Sequence, residues 1–133
     1  MDKVSQFILT CLEEPGEDTI TCLINTAVSH QIVGHDAAPE KVLDAVSCLL
    51  STGQVSLAEM RYGSDGRGRL TMLRGAEERT LAAWAKHIIW NPDENIWKWD
   101  RIPEFWPYVV LGRESRWRTA EPGDPEPDDG HLP

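Results

Sequence analysis

Apolar positions in the first third of the chain recur at helical spacing. Val4, Phe7, Ile8, Cys11 and Leu12 fall on one helix face, and Glu13-Glu14-Pro15-Gly16 stops the run. Ile20, Leu23, Ile24, Ala27 and Val28 repeat the spacing behind Asp18, whose carboxylate suits an N-cap, so a second helix is expected to about His30. Gly34-His35-Asp36 then introduces a third helix. Asp36 or a neighbour is expected to cap it, Pro39 suits its first turn, Val42, Val46, Leu49 and Leu50 face inward, and Gly53 ends it.

Beyond Gly53 the period changes to alternation. Val55 and Leu57 predict one strand and Leu70 and Met72 a returning one, joined across Gly63-Ser64-Asp65-Gly66-Arg67-Gly68, whose Asp-Gly pair favours a tight turn. Glu77 and Glu78 open a fourth helix with Leu81, Trp84, Ala85 and Ile88 inward, expected to end at Asn91-Pro92. From Ile96 to Trp117 the alternation of Trp97 and Trp99 is interrupted by Pro103 and Pro107, so irregular packing, or one short strand and one short helix, is expected. Thr119 onward is mostly Pro, Gly, Asp and Glu, a composition that predicts a disordered acidic tail over 119–133. The expected architecture is therefore mainly α with a small β-hairpin, an α+β class. A single domain would occupy 1–118, with a core at 2–74 and a C-terminal helix and Trp-rich segment at 75–118.

Composition narrows the class. With 41% hydrophobic and 26% charged residues the 133-residue chain reads as globular. No apolar run suits a membrane span, and Met1-Asp2-Lys3-Val4 lacks the layout of a signal peptide, so a cytoplasmic protein is expected. Cys11, Cys22 and Cys48 form no CxxC pair and read as reduced thiols. Of the net charge of −9, five acids lie in the tail (Glu121, Asp124, Glu126, Asp128, Asp129), leaving about −4 elsewhere, which favours solubility over non-specific nucleic-acid binding.

The order of three helices and a hairpin resembles a winged helix-turn-helix domain. The likeness rests on the stretch from Val42 to Val55, where spaced leucines lead through Gly53 into a strand, and on Gly66-Arg67-Gly68-Arg69-Leu70-Thr71, similar to an arginine-bearing wing tip. It covers residues 2 to 74. It implies a recognition helix reading DNA from Glu40, Lys41, Asp44, Ser47, Cys48 and Ser51, and a wing touching phosphates through Arg61, Arg67, Arg69 and Arg74. Two acids against one lysine on that helix depart from the family's DNA-binding pattern, while the hairpin stays locally basic.

Catalytic constellations are not legible. Gly63, Gly66 and Gly68 match neither a dinucleotide fingerprint nor a phosphate loop, and read as a hairpin tip. His30, His35 and Cys22 fit no zinc spacing, and Cys11 falls on an apolar stripe without a nearby base. No metal, cofactor or enzymatic activity is expected. More informative is the stretch between Asp18 and Asp36, which contains no Asp, Glu, Lys or Arg. The outward face of the second helix, Thr21, Cys22, Asn25, Thr26 and Ser29, should therefore be covered, by the C-terminal segment of the same chain or by a partner.

All six tryptophans (84, 90, 97, 99, 106 and 117) fall in the last half, and exposed Trp beside Arg is the composition of interface hot spots. Trp99, Arg101, Trp106, Tyr108, Arg116 and Trp117 are the candidate partner-binding residues. Interleaved Asp93, Glu94, Asp100 and Glu104 oppose a phosphate backbone and make protein the expected partner. The functional expectation is a non-catalytic protein-interaction module, comparable in class and charge to an immunity protein, an antitoxin or a regulatory adaptor. The alternative is a winged-helix transcription regulator binding DNA through Arg61, Arg67, Arg69, Arg74 and Lys41.

Overall fold

The computed structural model describes residues 2–64, 66 and 68–114. The expectation for the 119–133 tail falls outside the described residues. In chain order the elements are α1 (Lys3–Glu13), β1 (Glu17–Thr19), α2 (Ile20–Ser29), α3 (Ala38–Ser51), β2 (Val55–Tyr62), β3 (Gly68–Met72), α4 (Glu77–His87), β4 (Ile88–Asn91), β5 (Ile96–Trp99) and β6 (Trp106–Leu111). The fold is α+β, as the change of period predicts.

Local chemistry sets the helix boundaries. Asp2 caps α1 by accepting the Ser5 N–H at 2.8 Å, and that bond holds its carboxyl below the ordinary value. α2 starts one residue later than the sequence suggests. Thr19 is its N-cap, accepting from the Cys22 N–H at 3.3 Å, while Asp18 accepts from the Thr19 N–H at 2.8 Å. No side chain caps α3, which relies on Pro39 in its first turn. Gly53, at φ +75°, lets the chain leave α3 and lets the Gln54 N–H reach the Leu49 carbonyl at 2.9 Å.

Helix α4 is shorter than expected. It ends at His87, and Ile88–Asn91 becomes strand β4, so Asn91 opens a turn instead of closing a helix. The Asn91 side chain accepts from the Asp93 and Glu94 N–H groups at 2.9 and 3.0 Å, and Asn95 takes φ +60°. This local turn competes successfully with the helix and returns the chain as β5. The segment from Ile96 therefore holds two strands, and no helix follows α4 among the described residues. Pro107 lies within β6, past the last β1 pair (Thr19 with Tyr108), where β6 has a strand neighbour on one side only and a missing N–H is tolerated.

The main sheet is antiparallel in the order β1-β6-β2-β3, and β4-β5 form a separate ribbon. Register places Val55, Leu57 and Val109 on the face toward the helices, where they join Ile8, Leu12, Ile20, Leu23, Ile24, Val42, Val46 and Leu49 in one core. Each such fully buried side chain contributes about 1.5–3 kcal/mol. Ala58, Met60, Leu70, Tyr108 and Val110 point to the opposite face and form a second buried cluster. Both faces of the sheet are thus apolar and buried, unlike a hairpin that lies open on one side.

Candidate interaction groove

The uncharged face of α2 is met by β5. Asn25 sits between them, its Nδ2 donating to the Trp97 carbonyl at 2.8 Å and its Oδ1 accepting from the Trp97 N–H at 2.9 Å. One side-chain amide thereby imitates a neighbouring strand, and α2 carries no charge at a place where burying one would be costly. The covering element expected from the sequence comes, at this position, from the same chain.

Alternation along the ribbon places Ile88, Trp90, Trp97 and Trp99 on one side, with Trp90 opposite Trp97 and Ile88 opposite Trp99. Trp99 packs edge-on against Trp84 with ring centroids 6.4 Å apart, and Trp97 packs against Trp90 at 5.6 Å. His35 stands edge-on to Trp90 at 4.0 Å, away from His30, which packs against Phe7. The indole Nε1 atoms of Trp97 and Trp99 are buried with no acceptor among the described residues.

After β5 the chain bends sharply. Asp100 donates its N–H to the His87 carbonyl at 2.8 Å, and its carboxylate lies 3.1 Å from His87 Nδ1. Arg101 Nη2 stands 3.2 Å from His87 Nε2. A guanidinium can only donate, so His87 Nε2 is the acceptor in this contact. Lys98, in contrast, is paired with Glu94 at 3.0 Å.

These elements border a groove of about 430 Å³ between the start of α2 and the outer side of β5. Thr19, Thr21 and Cys22 form one wall; Trp99, Arg101, Ile102, Pro103 and Trp106 form the other. A second hollow of about 520 Å³, reaching His87, Glu104 and Phe105, shares Trp99, Arg101, Ile102 and Pro103 with the first. Ile102 stands on this shared ridge with 86% of its surface exposed, the most exposed large hydrophobic among the described residues.

The structure therefore brings Trp99, Arg101 and Trp106 together. Tyr108, named with them from sequence, is 5% exposed and belongs to the second cluster of the sheet. Burial, with Tyr62, Glu17 and Asp18 nearby, pushes its phenol up to about 12. Arg116 and Trp117 lie outside the described residues. Ile102 was not singled out from sequence, although an aliphatic residue next to Pro103 and outside any periodic run is a signal of its kind. From sequence alone, Asn25 is one of several polar residues on the outward face of α2.

The described arginines of the hairpin are engaged within the chain. Arg61 stacks over the Phe105 ring at 4.4 Å and lies 3.6 Å from Glu59. Arg74 donates to the Arg113 carbonyl at 2.6 Å and pairs with Glu114. Arg69 stands opposite Arg61 in the ladder and also has a partner, while Arg67 lies outside the described residues. On α3, Lys41 is exposed between Glu40 and Asp44, and Ser47 donates to Glu78 of α4 at 2.9 Å. The acidity of this helix face is thus increased by its neighbour.

The three cysteines are free, and partial burial together with the nearby Asp18 carboxylate pushes the Cys22 thiol up to about 11, away from the thiolate that nucleophilic chemistry needs. Among the described residues no helix is long and apolar enough to cross a membrane. Comparison with protein-family models, with curated proteins and with solved structures found no match for this chain.

Proposed function

We propose that this chain is a non-catalytic protein-binding module that engages its partner through the groove bordered by Trp99, Arg101, Ile102 and Trp106. The observation that carries this reading is the convergence, at one concave site, of two tryptophans and an arginine beside an aliphatic side chain with 86% of its surface exposed. Aromatic and arginine anchors around an apolar contact are what protein hot spots are made of. In this reading the module works in the cytoplasm as a regulatory adaptor or as an immunity- or antitoxin-type protein. The test is co-purification of partners from native extract with the full chain and with an Arg101→Ala/Ile102→Asp variant. Both substitutions are at exposed residues, so the variant should fold normally and lose its partner.

The second reading, a winged-helix DNA-binding regulator, is supported by the order helix, strand, helix, helix, hairpin over residues 3–72. Strand β6, inserted between β1 and β2, would be an addition to that plan. Against it stand the acids around α3 and the arginines already engaged by Glu59, Phe105 and Glu114. Duplex binding that weakens steeply with salt and is lost on replacing Arg61 and Arg69 would favour this second reading.

A further inference from the structure

Among the described residues strand β5 has a strand neighbour on one side only. Its inner side pairs with β4, and on its outer side Asn25 fills the N–H and C=O of Trp97. In an antiparallel ladder alternate residues direct their backbone groups the same way, so the N–H and C=O of Trp99 also point outward. The adjacent residue agrees with this phase, because the Asp100 N–H turns inward to the His87 carbonyl. Nothing among the described residues occupies the outer groups of Trp99. They lie beside the groove walled by Thr21 and Cys22 of α2.

Charge defines what would fit there. Lys98 is neutralised by Glu94 and the Asp100 carboxylate is held on His87, whereas among the described residues the exposed Arg101 contacts only His87 Nε2. Its remaining donors are available to a planar carboxylate, which a guanidinium grips with two parallel bonds. We propose that the outer edge of β5 takes an extended, carboxylate-bearing segment of a partner protein. One residue of that segment exchanges backbone hydrogen bonds with Trp99, and a neighbouring carboxylate meets Arg101. This is strand addition, in which main-chain bonds supply affinity and side-chain contacts supply selectivity. It rests on the reading of the groove as a protein-binding site and names the partner's chemistry.

The test uses the full chain, amide-resolved hydrogen exchange and three blocked peptides: Ac-Val-Glu-Val-Glu-Val-NH2, its form N-methylated at every residue, and its form with Lys in place of Glu. In the free protein the Trp97 and Asp100 amides should exchange slowly and the Trp99 amide fast. Adding the Glu peptide should slow Trp99 exchange roughly tenfold or more, and Arg101→Ala should weaken that peptide roughly tenfold, the scale of a charge-assisted contact. A Trp99 amide already protected in the free protein would overturn the proposal. So would equal binding of the N-methylated peptide or of the Lys peptide, or no protection of Trp99 at peptide concentrations up to the millimolar range. The underlying reading fails separately. If Arg101→Ala/Ile102→Asp still abolishes partner capture while no peptide protects Trp99, strand pairing alone is wrong. If that variant captures its partners normally, the groove is not the binding site and both ideas fall.

Discussion

Helices α1–α3 and the β4–β5 ribbon with its following loop are held together by different means. The helices meet through fully buried aliphatic side chains spread along three faces, among them Ile8, Leu12, Leu23, Ile24, Val42 and Val46. The ribbon also reaches the core through Ile88, Trp97 and Trp99, but its path is set by a few polar anchors: Asn25 on Trp97, Asn91 in its turn, and His87 with Asp100 at its base. A region held by many interchangeable contacts resists surface change, whereas one held by single hydrogen-bonding residues can be released by one substitution. The groove lies on the second kind, with α2 as its fixed wall.

The largest effect expected from this contrast is in the first region. Ile24→Ala should destabilise the whole domain by about 2–5 kcal/mol, read as a lowered midpoint in denaturant unfolding, because its cavity opens in the common core. Asn25, its neighbour in sequence, should behave differently. Asn25→Ala leaves the Trp97 N–H and C=O unpaired, at about 1–3 kcal/mol, and its hydrogen-exchange signature should be concentrated in β4 and β5 while α1 and α3 keep their protection. Uniform loss of protection after Asn25→Ala would show that ribbon and helices form one cooperative unit.

Smaller effects sharpen the boundary between them. Thr19→Ala removes the α2 cap and should cost about 1 kcal/mol of thermal or denaturant stability. Arg74→Ala breaks an exposed pair with Glu114 and should change stability by about 1 kcal/mol or less. Cys22 reports on the groove wall through its reactivity. Its thiol is raised from 9.0 to about 11, so the thiolate forms only as pH rises toward that value. Alkylation of the folded protein should therefore be slow at neutral pH and accelerate through about pH 11, and Asp18→Asn should shift that profile to lower pH.

The two regions also differ in how far the sequence discloses them. Helical spacing of apolar residues located α1, α2 and α3 within a residue or two, because their burial is what creates the pattern. Strands β4 and β5 were hidden. The Leu81, Trp84, Ala85, Ile88 stripe continues a helical period past His87, and only the hydrogen bonds of the Asn91 turn, which no periodicity registers, decide for a hairpin. At the groove, Trp99, Arg101 and Trp106 were legible as aromatics beside a cation. Tyr108 and Trp106 lie two apart on the same face of β6 against the second cluster, but Tyr108 is flanked by β1 and β2 and is buried, whereas Trp106, past the last β1 pair, stays half-buried. Composition names candidate residues, and their place along the strand decides which of them stay open to the groove.

The proposed role of the Arg101–Ile102 ridge is to bind a protein partner. Its most direct test is calorimetric titration of the captured partner against the wild-type chain, Arg101→Ala and an Arg61→Ala/Arg69→Ala control, with unfolding curves recorded for each. Arg101→Ala should weaken binding by about 2 kcal/mol or more at unchanged stability while the control binds like wild type. Equal affinity for wild type and Arg101→Ala, with binding lost in the hairpin control, would contradict it.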